Sequence, residues 1–311
     1  MKYSEIALKV LAAKECGLIR TTTQFWKQFA DREKFESKIM NDEKVIEMSE
    51  RIKTVLDSTV EGGIICAFDE NFAYISPNIK NKGDIPFLLF YRGDLSLLQN
   101  FENNVAVIGL VDPDEDIIRR EKVIVKKLVE NGFVIVSGLA KGCDTVAHKT
   151  CLENGGKTIA ILPSQINKVF PAENRELADE IVNKGGLLIS QYYIDALSKY
   201  EMINRLVSRD RLQAMFSKAV ILIASYRKGE GDSGSRHAME AAIKYGVERY
   251  VMFNKAKDED NIKFGLNKDF LRENKAKVLT HGSINEIKAI RVLDPSHETT
   301  LDLKGEQLKF F

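Results

Sequence analysis

With 311 residues, 44% of them apolar, the chain has room for one large α/β domain and a smaller unit; 46 Lys and Arg against 45 Asp and Glu exclude a global positive field for nucleic acid. Any polyanion site must be a local patch. The four cysteines, Cys16, Cys66, Cys143 and Cys151, contain no C-x-x-C pair, which argues against a zinc ribbon and for reduced thiols. No run of about 18 apolar residues occurs, so the expectation is a cytoplasmic protein that is neither exported nor membrane-spanning.

Residues 1 to about 60 read as a small helical domain, with apolar positions at Ile6, Leu8, Val10 and Leu11, at Phe25, Trp26 and Phe29, and at Val45, Ile46, Ile52, Val55 and Leu56. Gly62-Gly63 opens a different texture. Ile64 to Phe68 and Phe87 to Tyr91 read as strands, with Ser76-Pro77 and Ile85-Pro86 between them. From about residue 104 a βα alternation begins. Strand Val105–Ile108 precedes a helix from about Asp114 to Asn131, and strand Phe133–Val136 precedes one from about Thr145 to Glu153. Strand Thr158–Leu162 is followed by a helix from about Glu173 to Lys184, and strand Leu187–Ser190 by one near Arg205 to Phe216. Strand Ala219–Ala224, a helix near Arg236 to Tyr245 and strand Tyr250–Phe253 complete the series. The alternation predicts an α/β fold with a doubly wound, mostly parallel, Rossmann-like sheet over 61–290, leaving 291–311 as a tail.

Phe133 to His148 carries the most information. A buried strand runs into the small-residue turn Ser137-Gly138-Leu139-Ala140-Lys141-Gly142 and then a helix, the arrangement that presents backbone N–H groups to an anion. Asp144 is placed to cap that helix, so the turn holds either phosphate or the chain's own carboxylate. Ser137 with His148 offers no nucleophile elbow, and Asp144 with His148 at i, i+4 reads as a cap and a buried imidazole rather than a metal pair. No catalytic residue, cofactor or metal is expected.

Three more loops follow strands, where ligands of such sheets sit. Asn167 to Arg175 offers Lys168 and Arg175 around Phe170, the combination that base stacking and phosphate contact require, although Phe170 closing the sheet edge is the plainer alternative. Arg205, Arg209 and Arg211 enter an apolar helix and are placed to fork onto phosphates, unless Asp210 and nearby carboxylates pair with them. Gly229 to Ser235 opens another helix, whose N–H groups at Gly234 and Ser235 would face the first turn.

At these residues the chain resembles the DNA-processing protein A family, also called DprA or Smf. The resemblance lies in Ser137 to Gly142 with Asp144, Ala147 and His148, then in Lys168, Phe170-Pro171 and Asn174-Arg175. It continues through Arg209-Asp210-Arg211 to Ser217 and through Ser233-Gly234-Ser235, with Asp69 to Pro77, Pro86 and Phe90 to Asp94 as the lead-in, over roughly residues 60 to 290. It implies a non-enzymatic homodimer that binds single-stranded DNA in a basic pocket at the strand ends and loads a RecA-type recombinase in transformation or recombination. The implied contacts are Ser137, Gly138, Lys141, Lys168, Phe170, Arg175, Arg209, Arg211, Gly234 and Ser235.

One departure stands beside the match. Where the family carries a glycine-serine-arginine turn, this chain has Gly109-Leu110-Val111 followed by Asp112-Pro113-Asp114-Glu115-Asp116. If those carboxylates face the pocket, they weaken polyanion binding. The alternative is a nucleotide or nucleotide-sugar sensor, of the kind found in phage defence, with Ser137-Gly138 and Gly234-Ser235 cradling phosphates and Arg209 or Arg211 clamping them. Finally, Gln307-Leu308-Lys309-Phe310-Phe311 is similar to the short peptide that bacterial proteins insert into the sliding clamp, though a final edge strand or frayed tail fits it as well.

Overall fold

The alternation read from the sequence is present in the computed structural model, which describes residues 2–29, 31–57, 61–231 and 234–289. The N-terminal part holds β1 (Lys2–Tyr3), α1 (Glu5–Glu15), α2 (Thr22–Gln28), α3 (Arg32–Ile39) and α4 (Glu43–Asp57). Then come β2 (Gly63–Cys66), β3 (Leu88–Gly93), β4 (Asn104–Ile108), α5 (Glu115–Glu130), β5 (Val134–Ser137), α6 (Cys143–Glu153), β6 (Thr158–Leu162), α7 (Arg175–Asn183) and β7 (Leu187–Ser190). The rest comprises α8 (Lys199–Met215), β8 (Ala219–Leu222), α9 (Ser235–Lys244), β9 (Glu248–Val251), α10 (Lys255–Asp258), α11 (Gly265–Arg272), β10 (Lys277–Val278) and α12 (His281–Ala289).

Among the described residues the strands form one ten-stranded sheet in the order β1-β2-β3-β7-β6-β5-β4-β8-β9-β10. From β7 to β10 every neighbouring pair is parallel, while β3 runs antiparallel to both β2 and β7. Strands β4 to β8 are buried along their whole length, as short apolar runs covered by helices on both faces must be. The chain winds from β4 outward to β7 and then crosses back to place β8 on the other side of β4. The carboxyl ends of β4, β5 and β8 therefore flank the point where the winding reverses, which is where such sheets leave a crevice.

The helical N-terminus is attached at the opposite edge. Strand β1 adds to β2, and the α1 residues Leu8 and Leu11 share one apolar cluster with Phe87, Phe90 and Leu188. Phe25 of α2 stacks on Phe87 at 4.4 Å, and Trp26 Nε1 donates to the Ile85 carbonyl at 2.9 Å, so aromatic contacts bind these helices to the lead-in of β3.

One element departs from the sequence reading in its extent. Helix α8 begins at Lys199, well before Arg205, because Ser198 caps it by accepting from the Glu201 N–H at 3.1 Å. Glu201 in turn accepts from the Leu197 N–H at 2.8 Å, a close relative of the capping box. Among the described residues no helix is long and apolar enough to cross a membrane.

Candidate nucleic-acid interface

The turn after β5 is built by the chain's own side chains. Asp144 does not cap α6, whose N-cap is Gly142 with no side-chain bond. Instead its Oδ2 accepts from the N–H groups of Gly138 and Ala140, each at 3.2 Å, so the donors expected to meet phosphate are held by an internal carboxylate. Asn174 closes the turn from outside, donating to the Leu139 carbonyl at 2.8 Å and to Thr145 Oγ1 at 2.9 Å. Gly142 has φ +73°, and a Cβ there would lie 2.2 Å from the Leu110 carbonyl oxygen, so only glycine lets the β4 and β5 loops pack this closely.

Beneath the turn, several expected contacts are buried in structural roles. Ser137 is fully buried and its hydroxyl donates to the Val107 carbonyl at 2.7 Å, tying β5 to β4. Arg209 is 7% exposed, with Nη1 3.3 Å from Asp144 Oδ2 and Nε 3.0 Å from Asp210 Oδ1. Its guanidinium lies over Gly138, where a Cβ would sit only 1.4 Å from Nη1. Across the crevice the Ser235 hydroxyl donates to the Gly109 carbonyl at 3.1 Å, and Asp210 Oδ2 stands 3.1 Å from where a Cβ on Gly234 would be. Burial pushes the Asp210 carboxyl up to about 7, with Arg209 opposing the shift. The two helix starts at the winding reversal thus face Asp144 and Asp210, with Arg209 between these carboxylates.

These groups leave a recess of only about 20 Å³. That is room for about one water, so the recess in this structure leaves no space for a phosphate cradled by Ser137-Gly138 and Gly234-Ser235, whether Arg209 or Arg211 were its clamp. Nor do the residues form a nucleophile pair. Thr158 Oγ1 donates to the Ile135 carbonyl at 2.7 Å and therefore accepts from His148 Nδ1–H, also at 2.7 Å. The imidazole is fully buried, and desolvation lowers it to about 3, so it stays neutral.

The exposed members of the expected set lie above this layer. Lys141 bridges to Glu173 at 2.5 Å, drawing the β5 turn against the stretch before α7. Lys168 pairs with Asp195 at 2.6 Å, and the same carboxylate accepts from Gln165 Nε2 at 3.0 Å. Phe170 is 45% exposed, so it does not close the sheet edge, and Arg175 is exposed at the first position of α7. Lys141, Lys168, Phe170 and Arg175 therefore belong to one rim at the carboxyl ends of β5 and β6. Arg211 is exposed on the outer side of α8, with Nη2 3.4 Å from Ser208 Oγ. Arg205, in contrast, is 3% exposed and holds the preceding loop by donating to the Ile194 carbonyl at 2.7 Å, with its guanidinium 4.2 Å from the Tyr192 ring centroid. The sequence reading missed Asp195 and this loop-holding role. The Ser198-x-x-Glu201 cap was the signal that would have placed Arg205 inside the helix.

The acidic run after β4 is largely consumed where it stands. Asp114 caps α5, Asp116 pairs with Arg119 and Arg120, and Asp112 accepts from the Tyr226 hydroxyl at 3.2 Å. Val111 is 51% exposed at the position where an arginine was expected. Asp232, Ser233 and Gln307–Phe311 lie outside the described residues.

Comparison with known proteins bears on the family and the fold. The DNA processing protein DprA of Streptococcus pneumoniae is 36% identical over 169 residues, covering 54% of this chain and 56% of that one. The chain spans about half the length of the curated relatives it matches. The X-ray structure of DprA from Streptococcus pneumoniae superposes with a TM-score of 0.62 at 25% identity, covering 90% of both chains. DNA processing protein A from Helicobacter pylori, whose structure was described for its single-stranded DNA binding mode, gives a TM-score of 0.58 at 27% identity, covering 70% of this chain and 94% of that one. Because the model of the DNA recombination-mediator protein A family matches residues 64–287, from the second strand to the last described helix, the chain belongs to that family, whose relatives carry the names DprA and Smf.

Proposed function

We propose that the protein binds single-stranded DNA along the rim formed by Lys141, Lys168, Phe170 and Arg175, and that it acts in DNA processing as a recombination mediator rather than an enzyme. The observation that carries this reading is the exposed Phe170 ring on the same short stretch as Lys168 and Arg175, above a crevice filled by Asp144, Arg209 and Asp210. Stacking on an aromatic with cations alongside suits a strand whose bases are open, and a duplex offers no such faces. The relatives' names and the Helicobacter pylori structure support the same ligand. In this reading the protein is a cytoplasmic homodimer that passes the covered strand to a RecA-type recombinase. Contact with a sliding clamp through Gln307–Phe311 is a separate part of the proposal, tested by deleting those five residues and measuring recovery with the clamp.

The deciding experiment titrates the protein against labelled oligo-dT, duplex DNA and a nucleotide panel at two salt concentrations. Preference for oligo-dT with a steep salt dependence is expected, and Phe170→Ala should weaken it about tenfold with the salt slope unchanged. Saturable binding of one nucleotide with a flat oligonucleotide curve would overturn the reading.

A further inference from the structure

Beside the rim, a groove of about 390 Å³ opens between the N-terminal helices and the loops after β6 and β7. Its size lies within the range of small-molecule sites. Ile52 and Val55 of α4 form one wall, Phe90 and Tyr193 the floor, and Gln165 and Asn167 the side toward the rim. Phe90 and Tyr193 pack together at 5.2 Å between centroids, so the floor is fixed. Val55 is 64% exposed, which leaves the mouth open.

Three observations point to the same occupant. First, the lining is mainly apolar and aromatic, with the exposed amide of Asn167, which makes no side-chain hydrogen bond among the described residues. An apolar wall, an aromatic floor and an exposed amide suit a heterocycle that is buried on its faces and hydrogen-bonded at its edge. Second, two of the three charged lining residues are already paired, Glu61 with Arg92 at 2.6 Å and Arg51 with Glu47 at 2.5 Å, and the third, Glu15, is a carboxylate, so the groove offers a phosphate no unpaired cation while a neutral base needs none. Third, the groove is coupled to the rim through one carboxylate: Asp195 accepts from Gln165 on the groove wall at 3.0 Å and pairs with Lys168 on the rim at 2.6 Å. A phosphate resting at Lys168 would stand beside the groove, with cation outside and apolar walls inside, matching the two halves of a nucleotide.

We infer that this groove takes one unstacked nucleobase from the strand whose backbone passes Lys168. The inference rests on the single-stranded DNA reading for the origin of the base, and a free nucleoside presents the same chemistry. Bases along the rest of the rim stack on Phe170, whereas the base in the groove is enclosed.

The test compares a thymidine oligonucleotide with an abasic strand of equal length, using the wild-type chain, Val55→Trp, Asn167→Ala and Phe170→Ala. Val55 is largely exposed, so a tryptophan there fills the mouth without entering the core, and matching thermal melts check that the fold is kept. Val55→Trp is expected to weaken the thymidine strand about tenfold and leave the abasic strand unchanged, and Asn167→Ala to act in the same sense with smaller effect. If Phe170→Ala weakens the thymidine strand while Val55→Trp changes neither strand, the rim stands and the groove inference falls. Equal weakening of both strands by Val55→Trp also overturns it. If the wild-type chain binds neither strand, the rim reading fails, and the groove is judged with thymidine and adenosine by NMR. Binding that Val55→Trp abolishes supports the groove, and absence of nucleoside binding sinks it.

Discussion

Arg209 reaches from α8 to Asp144 on α6, Nη1 to Oδ2 at 3.3 Å, and in doing so fills the space above Gly138. The glycine of the β5 turn is therefore required by an arginine of the same protein. Replacing Gly138 with alanine forces a Cβ against Nη1, at 1.4 Å in the present geometry. The guanidinium is buried and has little room to retreat, so Gly138→Ala is expected to cost about 2 kcal/mol, the range for overpacking. A urea transition with an unchanged midpoint would show that the guanidinium moves aside freely.

Removing the cation acts more severely. Arg209→Met leaves Asp144 and Asp210 buried beside each other, and the loss of one partner from a buried ionic cluster costs about 3–5 kcal/mol. In melts well above pH 7, where Asp210 has given up its proton, adding Asp210→Asn removes one of the stranded charges. The double variant should therefore recover at least about 1 kcal/mol over the sum of the two single changes. Additive effects in denaturant melts would mean that the two side chains do not share one electrostatic unit. Both variants are expected to change stability first, with oligonucleotide binding following only through the turn.

The same cluster sets a dependence on pH. Asp210, pushed up to about 7 from the ordinary 3.8 of an aspartate, keeps its proton in the folded chain where the unfolded chain has lost it. The folded state then binds more protons, and this contribution to stability falls as pH rises from about 4 to about 7. Asp144 and Glu121 are raised by burial in the same direction. His148 works the other way: lowered to about 3 from 6.5, it stays neutral in the fold while the unfolded chain is charged, so its contribution is lost as pH falls through that window. Relative to wild type, Asp210→Asn should gain stability as pH rises from about 5 to about 7, and His148→Asn should lose it. Parallel pH curves for all three chains would refute the assignment.

The sheet was readable in the sequence because its central strands are apolar runs bounded by turn residues, and β6 and β7 fall where the pattern puts them. The exposure of Lys168, Phe170 and Arg175 was readable too, since they sit on one loop and one helix start. What periodicity could not reveal was the fate of the charges. Asp144, Asp210 and Arg209 lie far apart in sequence or on neighbouring helical positions, and only the packing of α6, α8 and α9 turns them into a buried cluster. Ser137 looked like a phosphate donor because it ends a strand before glycine, but the same position brings its hydroxyl to the Val107 carbonyl of the adjacent strand. The edge strands β1 and β10, two residues each, carry no periodic signal at all.

The two rim lysines are each held by a carboxylate, and this gives the most direct test of where a strand lies. Lys168 is paired with Asp195 and Lys141 with Glu173, with every one of the four side chains more than half exposed. Pairs this exposed contribute little to stability, so breaking them leaves the fold intact. They nevertheless neutralise the two lysines toward an incoming phosphate. In Asp195→Asn and Glu173→Gln the lysines are released, and single-stranded DNA affinity should rise, by about two- to fivefold for each change at low salt. If each freed lysine then meets a phosphate, the slope of log affinity against log salt steepens by about 0.7 per contact. Lys168→Ala and Lys141→Ala should move affinity and slope in the opposite direction. Added to a lysine variant, the matching carboxylate change has no cation left to release and should give little further gain. Should the carboxylate variants bind oligo-dT as the wild type does, the strand does not pass over these lysines, and the path must be sought along the exposed face of α8 that carries Arg211.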